Sequence, residues 1–344
     1  MTAPGARRSS GSSRPGYTVP IRRVQAFVGI GLRKGWDIEG MMHAAGISPM
    51  LLAEERARVT TDQIATLVQA LWTTTEDELL GLGAAPMPRG TFRLLSYGLL
   101  SSPDVATAME RFNQFSRALP AVPTGGITVD DGLVRVVVDL SQIDQPLDLL
   151  IDALLATAHR FLGWAIGRKV PLHHIEVPYS RPDDVDDYDL IFGAPVLFDA
   201  ASAALVCSAD VLTAPLVRSE AELDDFIRNS PGDLLARRDY GTSLADQVRN
   251  MIKPGRQEQL PSMDDIAARL AMSPQTVRRK LREEDTSLRE IRDDILRDAA
   301  IASLSRGDET VAALSERLGF SEPSAFTRAF RRWTGSPPGS YRPE

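Results

Sequence analysis

Apolar positions along the chain follow two different periodicities. From about residue 243 they recur every three or four residues, as on amphipathic helices, and one such stretch occurs twice. The first copy runs Ile266-Ala267-Ala268-Arg269-Leu270-Ala271-Met272-Ser273 and continues from Pro274 to Leu281. The second runs Val311-Ala312-Ala313-Leu314 into Leu318-Gly319-Phe320-Ser321 and continues from Glu322 to Phe330. Each copy predicts a short helix, a tight turn at a small residue and a second helix loaded with arginine. That is a helix-turn-helix, whose second helix can enter a DNA major groove.

The polar residues between these stripes supply helix starts. Ser262 and Asp265 make a capping box, Ser273 and Thr310 cap the next helices, and Ser287 opens a helix to about Leu304 with Leu288, Ile291, Ile295 and Ala299 on one stripe. In the first unit Val277 and Leu281 point inward, leaving Gln275, Thr276, Arg278, Arg279 and Arg282 outward. In the second, Phe326, Phe330 and Trp333 point inward, leaving Pro323, Ser324, Thr327, Arg328 and Arg331 outward. Arginine forks onto guanine and glutamine pairs with adenine. We therefore assign Gln275, Arg278, Arg279, Ser324, Thr327 and Arg328 to base edges, and Arg282, Arg331 and Arg332 to phosphates.

Upstream the pattern mixes both periods. Thr61–Trp72 has helical spacing in Ile64, Leu67, Val68 and Leu71, with Thr60 or Thr61 as cap. Pro103 opens another helix, with Asp104 in its first turn and Val105, Met109 and Phe112 on one face. Ile127–Val129, the Asp131-Gly132 pair and Leu133–Leu140 read as a hairpin. A long helix follows from about Leu147 to Ile166, then strands at His173–Val177, Val196–Phe198 and Ala204–Cys207, and a helix at Ser219–Ile227. The expected architecture is a disordered tail over residues 1–18, an α+β domain over 19–215, and a connector over 216–242. An all-α domain over 243–344 then holds helix-turn-helix units at about 262–283 and 310–334.

Composition narrows the function. The chain has 344 residues, 43% hydrophobic and 25% charged, as in an ordinary globular protein of two or three domains. A single cysteine, Cys207, excludes an internal disulfide framework and a cysteine-rich zinc site. No apolar run approaches the roughly 20 residues that span a bilayer, so a cytoplasmic protein without membrane contact is expected. The net charge of −7 at first argues against DNA, yet from Arg256 onward 15 Lys+Arg balance 15 Asp+Glu. The cations cluster on the two arginine-loaded helices, and local charge governs affinity.

The run Gly319-Phe320-Ser321-Glu322-Pro323-Ser324-Ala325-Phe326-Thr327-Arg328-Ala329-Phe330-Arg331-Arg332-Trp333-Thr334-Gly335-Ser336-Pro337, with the trailing Tyr341-Arg342, resembles the C-terminal signature of the AraC/XylS family of bacterial transcription regulators. The resemblance implies a seven-helix DNA-binding domain of two helix-turn-helix units joined by a linker helix, and a double-stranded promoter DNA partner. It further implies activation, often including the protein's own promoter, with RNA polymerase as a possible partner. Ala271 replaces the glycine often found in the first turn, which is tolerable if its φ stays negative. Glu283, Glu284 and Asp285 place acid beside the first unit, which would weaken its phosphate contacts. More loosely, Gly90–Leu100, Ser102–Phe112 and Tyr188–Phe198 resemble the effector-binding half of one AraC subgroup, which implies an unnamed small-molecule effector or a homodimer.

Other chemistry finds less support. His173-His174 would point to opposite faces of a strand, and only His43 and His159 remain, so no metal is expected. Asp183–Asp189 holds five aspartates around Tyr188 but lacks the glycine and terminal glutamate of a calcium loop. Trp72, Phe92, Tyr97, Phe112 and Trp164 are candidates to line an effector pocket, with core packing as the competing reading. No cofactor motif is present, and no catalytic set. The competing function, a DNA-alkylation sensor and repair enzyme built on the same module, would need Cys207 as its reactive thiol.

Overall fold

The computed structural model describes residues 18–143, 148–182, 192–228, 243–252, 260–284 and 286–343. The tail up to residue 17, the five-aspartate segment, Asn229–Gly232, Lys253–Gly255 and Asp285 lie outside these residues.

Strand β1 (Thr18–Pro20) leads into helix α1 (Ile21–Lys34), whose Ile21, Val24, Phe27 and Ile30 form a buried stripe. Helix α2 (Ile38–Ala44) starts where the Asp37 carboxylate accepts the Gly40 N–H. Strand β2 (Arg58–Thr60) pairs antiparallel with β1, and Thr60 then closes a capping box with Gln63 that starts α3 (Thr61–Thr75). The sequence reading anticipated α3 but neither α1 nor α2.

Next come α4 (Thr91–Leu100) and α5 (Val105–Ala118). Asp104 is not in the first turn of α5. Its carboxylate accepts the Thr107 N–H at 2.8 Å, which makes it the cap and leaves Pro103 outside the helix. Strands β3 (Gly125–Asp130) and β4 (Leu133–Val138) form the expected hairpin. Asp131 and Gly132 have φ of 44° and 73°, the left-handed pair that a two-residue hairpin turn requires. Helix α6 (Asp148–Ala165) and strands β5 (Leu172–Glu176), β6 (Val196–Leu197) and β7 (Ala203–Ser208) follow. They complete a sheet of order β3-β4-β7-β5-β6, antiparallel except for β5–β6. The expected α+β architecture is present. Ile151 and Leu155 of α6 pack on Ile175, Ala203 and Leu205 of the sheet. A bulge between Leu172 and His174 breaks the strand alternation, so the two histidine rings meet at 2.9 Å between Nδ1 atoms and do not point apart. Among the described residues no cluster of three metal-ligating side chains occurs.

After α7 (Glu220–Arg228) the C-terminal region is all-helical, with α8 (Leu244–Met251), α9 (Met263–Arg269), α10 (Pro274–Glu283), α11 (Leu288–Arg306), α12 (Val311–Arg317) and α13 (Pro323–Thr334). These are six α-helices among the described residues, one fewer than the resemblance implies, with a closing 3-10 turn at Pro338–Tyr341. The α11 helix belongs to two cores. Leu288, Ile291 and Ile295 join α8, α9 and α10 in the first. Ala300, Ile301 and Leu304 join Leu314, Phe326 and Phe330 in the second. That second core also contains Ile21, Val24, Ile64, Leu67 and Leu71, so α1 and α3 pack with the second helix-turn-helix unit. Polar contacts cross the same junction: Thr18 Oγ1 donates to Asp298 at 2.6 Å, and the Arg58 N–H donates to the Tyr341 hydroxyl at 3.3 Å. No helix among the described residues is long and apolar enough to cross a membrane.

Candidate DNA-binding surface and effector cavity

Each reading helix is positioned by the turn before it. In the first turn the Met272 N–H donates to Ala267 O and the Ala271 N–H to Ala268 O. In the second, the Phe320 N–H donates to Ser315 O and the Gly319 N–H to Glu316 O, the same paired pattern. Ala271 takes φ 52° and Gly319 φ 84°. The first-turn alanine therefore does not keep the negative φ expected for a residue with a Cβ. The turn geometry requires a left-handed residue there, whichever residue occupies it.

Both reading helices begin with proline at their first position and present equivalent faces. Val277 and Leu281 of α10 are buried, as are Phe326 and Phe330 of α13. Outward on α10 stand the exposed Gln275, Arg278, Arg279 and Arg282. Outward on α13 stand the exposed Ser324, Arg328 and Arg331, with Thr327 half-buried and its hydroxyl donating to Pro323 O. Aligned from their starting prolines, Gln275 matches Ser324, Arg278 matches Thr327, Arg279 matches Arg328 and Arg282 matches Arg331. Glu283 falls where Arg332 stands. Two arginines carry acidic partners: Arg279 pairs with Glu283 at 2.8 Å, and Arg332 with Asp293 of α11 at 3.3 Å.

The acidic patch beside the first unit changes character. Both Glu284 carboxylate oxygens accept backbone N–H groups, from Leu244 and Ala245, at 2.9 Å each. Glu284 thus caps the N-terminus of α8, where free N–H groups and the helix dipole favour an anion. Sequence reasoning missed this role because the partners lie 39 and 40 residues away.

The upstream domain encloses a cavity of about 840 Å³ walled by α3, α4, α5, α6 and the sheet, with Ile227 of α7 also lining it. Of the proposed aromatic residues, Trp72, Phe92 and Phe112 line it. Tyr97 and Trp164 do not: they pack with Leu223 and Phe226 of α7, in an aromatic cluster that Phe92 and Phe161 join from the cavity wall. Trp164 stacks on Phe226 with centroids 4.6 Å apart, and the Tyr97 hydroxyl donates to Asp224. Phe161 also faces the cavity, a residue not singled out from sequence. Glu78 stands at the wall, its carboxyl raised by burial against the lowering effect of the Gly90 and Phe92 N–H groups it accepts. Cys207 is buried, and burial pushes its thiol up to about 11, the opposite of what a methyl-accepting thiolate needs.

Both parts of the chain are similar to known protein families. A family model described as the arabinose-binding N-terminal domain of AraC transcription regulators matches residues 35–216, more than half of the chain, and a helix-turn-helix domain model matches residues 266–344. The ornithine utilization regulator of Pseudomonas aeruginosa is 23% identical over 328 residues, covering 94% of this chain and 96% of that protein. The HTH-type transcriptional regulator VqsM of Pseudomonas aeruginosa is 40% identical over 193 residues, covering 56% of this chain and 59% of VqsM. Among solved structures, the transcriptional regulator CdpR from Pseudomonas aeruginosa is 24% identical, covers 74% of this chain and 82% of its own, and has a TM-score of 0.30. With an AraC-specific model spanning more than half of its length and a helix-turn-helix model at its C-terminus, the chain belongs to the AraC family of transcription regulators.

Proposed function

We propose that the chain binds promoter DNA by placing α10 and α13 in two successive major grooves on one face of the duplex. Gln275, Arg278 and Arg279 on α10, with Ser324, Thr327 and Arg328 on α13, read base edges. Arg282, Arg331 and Arg332 hold phosphates, Arg332 exchanging Asp293 for DNA as it does so. The carrying observation is the equivalent outward face presented twice, by units that share one linker helix of 19 residues. Such a helix is about 28 Å long, close to the roughly 34 Å between successive major-groove faces.

In this reading the chain is an activator acting on its own promoter among others, with RNA polymerase as partner. The upstream domain binds a small-molecule effector in its cavity and a second copy of the chain. The arabinose and ornithine in the names above belong to those proteins, and the effector here has to be argued from the cavity itself. Hydroxyl-radical footprinting on the DNA upstream of the chain's own gene tests the DNA reading. Two protected stretches one helical turn apart on the same face are expected. Protection of a single stretch, or of none, would contradict it.

A further inference from the structure

The reading of the upstream domain as an effector sensor can be taken to the chemistry of its ligand. On α6 the residues Leu150, Ala153, Leu154, Ala158 and Leu162 recur at three- and four-residue spacing, and all of them line the cavity. The adjoining stripe, Ile151 and Leu155, is buried against the sheet. This helix is therefore apolar on two faces: one packs on the sheet, and the other lines the cavity, where Leu150 and Leu154 also touch the small cluster of Leu79, Met87 and Ala121. Across the cavity stand Met109 and Phe112 of α5 and, from the inner face of the sheet, Val136, Leu172 and Leu205.

The polar groups of the wall are few and largely engaged. Charged ones come from the α3–α4 side: Arg93 pairs with Asp224 at 2.5 Å, Arg89 with Glu76 at 3.8 Å, and Glu78 accepts two backbone N–H groups. His159 is buried, with Nε2 bonded to Val170 O at 2.8 Å, and burial lowers its pKa against the raising effect of that bond. A sugar or an amino acid would bring several hydroxyls or charges against hydrocarbon. Each polar group left unpaired there costs roughly tenfold to a hundredfold in affinity. A hydrocarbon surface gains from the same burial.

We propose that the cavity binds a hydrocarbon-rich effector, an acyl chain or a fused-ring molecule, whose one polar group stays at the α3–α4 rim. Its presence would be felt at both DNA-reading units. Trp72 of α3 lines the cavity while Leu67 and Leu71 of the same helix lie in the core of the second unit, and Ile227 lies on the helix that precedes the first.

The test uses the full chain and the neutral fluorophore N-phenyl-1-naphthylamine. The inference expects saturable binding of one probe per chain, displacement by 1-decanol, and no displacement by L-arabinose or L-ornithine. Decanol at a hundredfold above its Kd should raise the melting temperature by about 5–10 °C. Ala153→Trp, which fills the space beside α6, should weaken probe binding at least tenfold while the melting temperature holds or rises. Displacement of the probe by arabinose or ornithine but not by decanol would overturn the ligand class and leave the sensor reading standing. If no compound of either kind binds or shifts the melting temperature, both fall, and footprinting then reports on the DNA reading alone.

Discussion

Ala271 and Gly319 occupy the same place in the two turns, yet only glycine enters the left-handed region without crowding its own Cβ. At φ 52° the alanine is strained, and the strain is held by the paired N–H bonds of Ala271 and Met272. A non-glycine residue there costs about 1 kcal/mol. Ala271→Gly should therefore stabilise the first unit by up to about 1 kcal/mol, after the entropy that glycine adds to the unfolded chain is subtracted. Gly319→Ala should destabilise the second unit by about the same amount. Urea denaturation followed by circular dichroism reads both, and equal signs for the two substitutions would contradict the assignment. A second asymmetry lies at Glu283, where the other unit has Arg332. Glu283 pairs with Arg279 at 2.8 Å, so the first unit has a carboxylate where the second has a phosphate-holding arginine, and Arg282 is left as its one assigned phosphate contact. We expect the first unit to discriminate between sites and the second to anchor.

At the scale of elements, two carboxylates have opposite effects. Glu284 joins α10 to the start of α8 through two charge-assisted bonds. Glu284→Ala should cost the first unit about 1 kcal/mol, read as a lower urea midpoint with DNA contacts untouched. An unchanged midpoint would show that water serves α8 equally well. Asp152 sits 2% exposed where α6 meets α1, with Arg23 3.7 Å away and the Tyr179 hydroxyl donating to it. Burial raises its pKa from 3.8 to about 6, against the lowering effect of Arg23. A carboxyl raised in this way gives stability that is full below its unfolded pKa and lost as pH rises through about 6. Asp152→Asn should therefore gain on the wild type by about 1–3 kcal/mol between roughly pH 4 and pH 7. A difference between the two proteins that is independent of pH would contradict this.

Elements whose signals are local were legible in the sequence. The Ser262–Asp265 capping box, the Ser273 and Thr310 caps and the Asp131-Gly132 turn all bond within three residues or set their own φ, and each formed as read. Where a local rule met a competing one, the reading slipped. Asp104 caps its helix from outside, and the bulge at Leu172–His174 overrides strand alternation. The spacing of Ile21, Val24, Phe27 and Ile30 marks α1 as plainly as any helix in the chain, though its importance appears only in what it packs against.

For the whole molecule, the least legible feature is the shared core. No local pattern shows that Leu67 and Leu71 pack in one cluster with Leu314 and Phe330, or that Tyr341 accepts a bond from Arg58. The cavity is hidden for the same reason, since its walls come from many segments between Gln69 and Ile227 that only tertiary packing brings together. This continuity gives the upstream domain a physical route to the second reading helix through α3, and α11 extends it to the first unit. We therefore expect the two units to act as a single reader rather than two independent ones. Selection of bound sequences from a randomised duplex library, for the wild type, Arg279→Ala and Arg328→Ala, tests that claim most directly. The account predicts two blocks of preferred bases about one helical turn apart in the wild type, with Arg279→Ala relaxing one position and weakening the selected site by about 1–3 kcal/mol. A single block, or a uniform loss across all sequences with both arginine substitutions, would contradict it.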